Sequence, residues 1–213
     1  MKIAFFDFDG TLLNGETIEH ILQDYPDVYE KVKEYNQMGI RGEVEFCELY
    51  IKKIQLFRDL PYETILKRLV EPQEYFPGAR DLIANLRSNG WVVIILSGGF
   101  EPALEVAQKA LNFNTYWGNE FVVRPDGTMT GYVRGPCMHQ DSKGEIIQKI
   151  LAMSGAKKED CMGVGDGRND VSMFQNVGFS VAFCAKSKAL REIATHCVDE
   201  PDLNLVWDLM KER

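Results

Sequence analysis

The fold is decided by the stretch Ile3-Ala4-Phe5-Phe6-Asp7-Phe8-Asp9-Gly10-Thr11-Leu12-Leu13, in which an apolar run ends in two carboxylates. The run predicts a buried strand over about 2–6. Residues i and i+2 of a strand project to the same side, so Asp7 and Asp9 lean into one small volume where Gly10 lets the chain turn away. This pair suits phosphoryl transfer, because one carboxylate can attack phosphorus while the other handles the leaving-group proton. A strand-end turn with Asp9-Gly10 at its corner is the structural alternative.

Length and composition predict a globular protein with a full hydrophobic core. The chain has 213 residues, 45% of them hydrophobic, and a net charge of −8. This charge argues against a nucleic-acid partner, because neutralising backbone phosphates requires clustered Lys and Arg. No apolar stretch approaches the roughly 20 residues of a membrane-spanning helix, and Asp7 interrupts the N-terminal run too early for a signal peptide. We therefore expect a cytoplasmic protein without a membrane partner.

The rest of the chain predicts an α/β fold with one long helical interruption. Residues 16–71 show helical periodicity and contain no comparable strand, which predicts a helical insertion over 14–76. A doubly wound parallel sheet is then expected from residues 1–13 and 77–213. Its further strands are predicted at 91–96, 161–164, 179–183 and around Cys197, and its helices at 79–88, 102–111, from Ser142 to before Gly155 with a capping box, and at 202–211. Pro125-Asp126-Gly127 predicts a hairpin at about 121–133.

Three polar motifs follow predicted strands of this sheet. They are Asp7 with Asp9, Ser97-Gly98-Gly99, and Gly165-Asp166-Gly167-Arg168-Asn169-Asp170. Ligands of open α/β sheets bind at the carboxyl ends of the strands, so the three motifs predict one shared site.

Two of the candidate residue groups suit a phosphate. Ser97-Gly98-Gly99 offers a hydroxyl and backbone N–H groups to phosphate oxygens. Lys143 falls in the first turn of a predicted helix, where the helix dipole disfavours a cation by about 0.3–1 kcal/mol. That cost suggests a use for the cation, namely holding a phosphate dianion against Asp7. A solvated lysine offset by Glu145 is the alternative.

The acidic residues predict a magnesium site. Asp166 and Asp170 add two carboxylates to Asp7 and Asp9, and four acids cannot lie together at neutral pH without a cation. Hard oxygen ligands favour Mg²⁺, whereas the five singly scattered cysteines offer no zinc-ligand spacing. Asn169, between the two later acids, can orient Lys143 or the phosphate, or cap a helix.

The motifs together resemble those of the haloacid dehalogenase superfamily of phosphohydrolases. The resemblance rests on Asp7-Phe8-Asp9-Gly10-Thr11, Ser97-Gly98-Gly99-Phe100, Lys143-Gly144-Glu145 and Gly165-Asp166-Gly167-Arg168-Asn169-Asp170, which occur in the superfamily's order. Further segments are similar to the phosphoserine phosphatase family: Asn14-Gly15-Glu16-Thr17, Asp59-Leu60-Pro61, Ser172-Met173-Phe174 and Phe183-Cys184-Ala185-Lys186. The likeness covers nearly the whole chain and implies a Rossmann-like core with a helical cap over 14–76.

The resemblance also implies roles for individual residues. Asp7 would be the nucleophile that forms an aspartyl-phosphate, and Asp9 the general acid that becomes the base for hydrolytic water. Mg²⁺ would rest on Asp7, the Asp9 carbonyl and Asp166. Ser97 and Lys143 would bind phosphate, and Gly98, Gly99 and Asn169 remain the further candidates for substrate contact argued above. The implied reaction is hydrolysis of a small phosphomonoester, O-phosphoserine, in serine biosynthesis, by a monomer or homodimer.

The cap departs from the family pattern at one position. Glu16 matches the family residue that contacts the substrate's amino group. Alignment through Phe46 places Lys53 where the family carries an arginine for the substrate carboxylate. Lysine lacks the bidentate fork of arginine, although Phe46 and Lys53, seven residues apart, share a helix face.

Several alternatives stay open at this point. A dehalogenase would have no use for Asp9 or Asp166, which counts against that activity. A phosphotransferase would pass the phosphoryl group from Asp7 to an alcohol instead of water. A non-catalytic protein could bind Mg²⁺ or a phospho-ligand through the same residues. The lysine at position 53 also leaves room for other small amino- or alcohol-phosphates, such as phosphoethanolamine.

Overall fold

A computed structural model describes residues 1–41 and 43–211. Within these residues the strands are β1 (Lys2–Phe6), β2 (Trp91–Phe100), β3 (Thr115–Val123), β4 (Met129–Arg134), β5 (Cys161–Gly165), β6 (Phe179–Phe183) and β7 (His196–Val198). They form one sheet in the order β4-β3-β2-β1-β5-β6-β7. Every neighbouring pair is parallel except β3 and β4. The predicted α/β fold is confirmed.

The helices flank the sheet or fill the interval between β1 and β2. They are α1 (Thr17–Ile21), α2 (Pro26–Ile40), α3 (Phe46–Gln55), α4 (Tyr62–Leu69), α5 (Ala79–Ser88), α6 (Glu101–Leu111), α7 (Ser142–Ser154), α8 (Val171–Phe174), α9 (Lys188–Ile193) and α10 (Asn204–Lys211). Within the described ranges, no helix combines the length and the apolar character needed to span a bilayer.

The central strand β1 is covered on both faces, which explains its unbroken apolar sequence. Ala4 and Phe6 belong to one hydrophobic cluster, with residues of α5 and α10. Ile3 and Phe5 belong to a second cluster, with residues of α7 and α8. Because alternate residues of a strand face opposite sides, β1 contributes to both cores.

The helices α1–α4 pack around a third hydrophobic cluster, which also includes Phe100 and Phe121 of the sheet. The β3–β4 hairpin supports these helices through its backbone. The Asp59 N–H donates to the Met129 carbonyl at 2.9 Å, and the Tyr62 N–H donates to the Gly127 carbonyl at 3.0 Å. The hairpin thus connects the helical segment to the sheet beside the end of β2.

Two local predictions were wrong. The strand predicted at 91–96 continues to Phe100, because β3 pairs with β2 as far as Phe100 and Asn119, after a register shift. The capping box at Ser142 is absent from α7, since the Ser142 hydroxyl donates to the His139 carbonyl at 2.6 Å instead. The expected end of α7 is confirmed, because Gly155 adopts the left-handed conformation with φ 67°.

Candidate active site

The three predicted polar motifs lie at the carboxyl ends of β1, β2 and β5. These strands are neighbours in the sheet, with β1 in the centre. The pairing of β1 with β5 extends one residue beyond β1, because the Asp7 N–H donates to the Val164 carbonyl at 2.9 Å. Asp7 therefore lies directly beside the segment that leads to Asp166.

Lys143 is buried and contacts two carboxylates. Only 2% of its surface is exposed. Its Nζ lies 2.8 Å from Asp7 Oδ1 and 2.6 Å from Asp170 Oδ1. Burial alone would lower the pKa of Lys143, but the charges of Asp170 and Asp7 outweigh burial and raise it. The lysine is therefore a fixed cation of the site, and the alternative of a solvated lysine offset by Glu145 is wrong.

Close packing of α7 against α8 brings Lys143 to this position. The Gly144 N–H donates to the Ser172 hydroxyl at 3.2 Å. A Cβ added at Gly144 would lie 2.8 Å from the Ser172 carbonyl oxygen, a distance that only a shift of the backbone could relieve. Glycine at position 144 thus permits the approach that buries the neighbouring lysine.

Asp170 holds Lys143 and the loop after β5 together. Its carboxylate is fully buried, and Oδ1 accepts the hydrogen bond from Lys143. The other oxygen, Oδ2, accepts from the N–H groups of Asp166 at 3.0 Å and Gly167 at 2.9 Å. Sequence reasoning counted Asp170 among the acids but missed this pairing. Only the contact of Asp170 with the loop has a signal in the sequence, namely the four-residue spacing from Asp166, which lets the carboxylate reach back to the loop N–H groups.

A second group of contacts places Asp166 opposite Asp7. The Thr11 hydroxyl donates to Asp166 Oδ1 at 3.2 Å. Gly10 has φ 70°, and a Cβ there would lie 2.7 Å from Asp166 Oδ2, so glycine is required for both reasons. Asp7, Asp166 and Asp170 each offer one carboxylate oxygen, and these oxygens lie within 4.8 Å of one another.

The electrostatics of these acids call for a cation. Burial, followed by the charge of Asp170, raises the pKa of Asp7 well above its usual range. The same causes raise the pKa of Asp166 to about 7. Lys143 supplies one positive charge among four carboxyl groups, so a divalent ion would relieve the repulsion. The donor set consists of hard oxygens, which fits Mg²⁺.

Asp9 is held from the start of the helical segment. Its Oδ1 accepts hydrogen bonds from the Thr17 N–H at 2.6 Å and from the Thr17 hydroxyl. Burial raises the pKa of Asp9, and the bonds from Thr17 oppose that rise. Thr17 is the first residue of α1 and is buried. The two residues therefore connect the end of β1 to the helices above it.

The part of β2 beyond Leu96, where its pairing with β3 shifts register, lies against Asp9. Ser97 is fully buried, and its Oγ accepts the Gly99 N–H at 2.8 Å. A Cβ at Gly99 would lie 3.0 Å from both Asp9 Oδ2 and Ser97 Oγ. Ser97, Gly98 and Gly99 therefore line the same volume as the two aspartates of the first motif.

Glu16 and Lys53 interact electrostatically within the helical segment. The pKa of Glu16 is raised to about 8, chiefly by desolvation and then by the charges of Asp9 and Asp166, while Lys53 opposes the rise. Desolvation lowers the pKa of Lys53, and Glu16 counters that shift. The Glu16 side chain stays accessible to solvent in spite of these neighbours. A cationic substrate group could therefore reach it.

The remaining two predicted residues, Phe46 and Asn169, are half-buried. Phe46 begins α3 and is half-buried, with its ring 6.1 Å from that of Tyr50 at an interplanar angle of 16°. Asn169 is half-buried in a single helical turn over Arg168–Asp170. Orientation of Lys143 comes from Asp7 and Asp170, so that suggested role of Asn169 is not needed.

The sequence of this chain matches a known family of hydrolases. The sequence profile of the haloacid dehalogenase-like hydrolases matches residues 1–178. This range contains every predicted catalytic and metal-binding residue. The chain therefore belongs to the haloacid dehalogenase-like hydrolases, and the resemblance of its motifs to that superfamily is confirmed.

Individual relatives narrow the family. The chain is 37% identical to the phosphoserine phosphatase of Methanocaldococcus jannaschii over 212 residues, which cover 99% of this chain and 98% of the relative. It is 36% identical to that of Wolinella succinogenes over 203 residues, covering 95% and 97%. A solved phosphoserine phosphatase described as a phospho-aspartyl intermediate analogue superposes with a TM-score of 0.89 at 36% identity, over 98% of both chains. These matches place the chain in the phosphoserine phosphatase family.

Proposed function

We propose that this protein hydrolyses O-phosphoserine to serine and phosphate through an aspartyl-phosphate formed on Asp7. The observation that carries the proposal is the buried bridge from Lys143 to Asp7, with Asp9 held beside it by Thr17. A fixed cation next to the nucleophile can hold the phosphoryl oxygens against it. The identity of the proposed substrate is taken from the phosphoserine phosphatase relatives, which the chain matches over nearly their full lengths.

The reaction proceeds in two balanced displacements. An Asp7 oxygen attacks phosphorus, and the bond to the serine oxygen breaks while Asp9 gives that oxygen a proton. Water then attacks the phosphorus of the aspartyl-phosphate, Asp9 takes the water's proton, and the Asp7 carboxylate leaves. Serine and inorganic phosphate are the products, and Asp9 ends in its starting protonation state.

A magnesium ion fits the acidic side of this site. We propose Asp7, Asp166 and the Asp9 carbonyl as its ligands. When bound, Mg²⁺ neutralises charge on the phosphoryl oxygens and on the neighbouring carboxylates. Asp170 is engaged by Lys143 and two N–H groups, so it orients the site and stays outside the proposed ligand set.

The proposed binding of substrate divides between sheet and helices. Ser97, Gly98, Gly99 and Asn169 contact the phosphate with Lys143. Glu16 holds the ammonium group, Lys53 holds the carboxylate, and Phe46 forms an apolar wall. Residues 14–76 form a cap that excludes water during chemistry and opens for exchange, over a core of 1–13 and 77–213. We place the enzyme in the cytoplasm and in serine biosynthesis, as a monomer or homodimer.

One observation favours a second substrate class. Lys53 provides a point charge where a planar fork would recognise a carboxylate better. Phosphoethanolamine has the ammonium group that Glu16 would hold and lacks the carboxylate. Hydrolysis of phosphoethanolamine is therefore the alternative activity that Lys53 favours.

The proposed function is tested by phosphate release in the presence of Mg²⁺. The substrates are phosphoserine, phosphothreonine, phosphoethanolamine and phosphocholine, each with and without an acceptor alcohol. Preference for phosphoserine supports the proposal. A higher kcat/KM for phosphoethanolamine would move the assignment to the second class, and an acceptor-phosphate product would identify a phosphotransferase.

A further inference from the structure

A buried tyrosine of the helical segment contacts the backbone of Ser97-Gly98-Gly99, the part of β2 proposed to bind phosphate. Tyr50 lies on α3 and is 7% exposed. Its hydroxyl donates to the Gly98 carbonyl oxygen at 2.9 Å. Gly98 lies 48 residues further along the chain, in β2 between Ser97 and Gly99. This is a direct hydrogen bond between α3 and the end of β2 that lines the site.

The core supplies the other half of this network through Asn119 of β3. Asn119 is fully buried. Its Nδ2 lies 2.8 Å from the Tyr50 hydroxyl, 3.1 Å from the Gly98 carbonyl oxygen and 3.0 Å from the Cys137 carbonyl oxygen. Its Oδ1 accepts the Cys137 N–H at 3.1 Å. Asn119 thus contacts both the Tyr50 hydroxyl and the Gly98 carbonyl oxygen and fixes their relative positions.

Loss of the Tyr50 contact would leave the other hydrogen bonds of this network in place. Without Tyr50, the Gly98 carbonyl keeps Asn119, and the Asn119 amide keeps both bonds to Cys137. Only the Tyr50 hydroxyl then exchanges its partners, and water can replace them. Loss of the Tyr50 contact would therefore leave no polar group of Gly98, Asn119 or Cys137 in this network unpaired.

The Gly98 carbonyl and the Gly99 N–H belong to one peptide unit. A peptide unit is planar, so fixing its carbonyl also fixes the direction of its N–H. That N–H donates to Ser97 Oγ, a proposed phosphate contact. Tyr50 therefore contacts this peptide unit on the side opposite to Ser97 Oγ.

We propose that Tyr50 is a positioning residue that orients the Ser97-Gly98-Gly99 segment of β2 for phosphate when the helical cap is closed. The inference rests on the proposed function for the identity of the ligand. Tyr50 lies between Phe46 and Lys53 on one face of α3, since four and three residues separate them. The same helix face would thereby contact the substrate and order the segment of β2 that holds its phosphate.

The test compares Tyr50→Phe with Tyr25→Phe. The first variant keeps the ring and loses only the hydroxyl. The second is a matched control, because Tyr25 packs against the same hydrophobic cluster of the helical segment. Both are studied at a temperature where circular dichroism shows them folded. The measurements are orthophosphate binding by calorimetry with Mg²⁺, and kcat/KM for phosphoserine and for p-nitrophenyl phosphate.

We expect Tyr50→Phe to weaken orthophosphate binding about five- to tenfold and to lower kcat/KM for both substrates by a similar factor. Tyr25→Phe should stay within about twofold of the wild type. Unchanged orthophosphate binding in Tyr50→Phe, or a loss confined to phosphoserine, would overturn the inference. Because binding needs no turnover, a wild type that binds orthophosphate without hydrolysing phosphoserine would refute the proposed function alone.

Discussion

At the scale of single residues, Lys143 gives the site its electrostatic balance. A lysine with 2% exposure is stable only beside compensating charge, and Asp7 and Asp170 supply that charge at 2.8 and 2.6 Å. The compensation is mutual, because the two carboxylates are equally removed from water. Removal of any member of this trio leaves buried charge without a partner.

Lys143→Met should therefore damage both stability and activity. The buried carboxylates lose their cation, and we expect a loss of about 3–5 kcal/mol in the free energy of unfolding, measured by urea denaturation. Phosphate release should become undetectable. Lys149→Met, at an exposed position of the same helix, is the control. A Lys143→Met protein as stable as this control would contradict the burial of a functional ion pair.

Asp9→Asn should affect the reaction in proportion to the need for a proton. An alkoxide leaves poorly without protonation, whereas nitrophenolate is a good leaving group. In single-turnover phosphorylation, we expect the variant to lose far more rate with phosphoserine than with p-nitrophenyl phosphate. Equal losses for the two substrates would remove Asp9 from the role of general acid.

Among the helices, α3 carries three residues to which the proposals give a role. Phe46, Tyr50 and Lys53 share one face of this helix. Lys52 lies next to this face and pairs with Glu48 at 2.7 Å, one turn earlier. Adjacent lysines of one helix are thus expected to have different roles, which makes them a matched pair for mutation.

Lys53→Ala should lower kcat/KM for phosphoserine about ten- to a hundredfold, the value of a charged hydrogen bond, and leave phosphoethanolamine unaffected. Lys53→Arg should be tolerated or improve phosphoserine hydrolysis by providing a planar fork. Glu16→Gln should harm both substrates, since both carry the ammonium group. The control Lys52→Ala should change neither. An unchanged preference for phosphoserine in Lys53→Ala would show that Lys53 does not bind the carboxylate.

At the scale of the whole molecule, the sheet concentrates negative charge at one edge. The acids of the site come from the ends of β1 and β5, which lie side by side. A protein with a net charge of −8 holds an anionic substrate there only through local donors and a bound cation. The activity of the whole enzyme should therefore depend on a divalent metal.

Exhaustive chelation should abolish phosphate release, and Mg²⁺ should restore it. Mg²⁺ should also raise the unfolding temperature, because it binds only the folded site. Asp166→Asn should lose this rise, whereas Asp160→Asn, exposed at the opposite end of β5, should keep it. Ca²⁺ should inhibit, since a larger ion with more ligands can engage both oxygens of Asp7. Full activity after chelation would exclude the metal.

Much of this arrangement could be predicted from the sequence, for a physical reason. Parallel strands place their carboxyl ends at one edge, so Asp7, Ser97 and Asp166 could be brought together without coordinates. Lys143 could be singled out because its position at a helix start is locally unfavourable. These inferences use periodicity and local chemistry, which the sequence displays directly.

The interactions that sequence reasoning missed join residues far apart in the chain. The pairing of Lys143 with Asp170 spans 27 residues, and that of Asn119 with Tyr50 spans 69. Strand β2 runs past Leu96 because β3 pairs with it there. None of these contacts leaves a local pattern, since each depends on how separate elements pack.

The proposed mechanism depends on an aspartyl-phosphate at Asp7, and acid quenching during turnover traps this intermediate. Enzyme is quenched with acid during turnover of phosphoserine that is radiolabelled in its phosphate, and one portion is counted for label bound to the protein. A second portion is reduced with borohydride, which displaces the phosphate, and is mapped by peptide mass spectrometry. Borohydride converts an aspartyl-phosphate to homoserine, so we expect this conversion at Asp7, with no label retained by folded Asp7→Asn. Label on another residue, or a wild type that turns over without acid-stable label, would contradict the account.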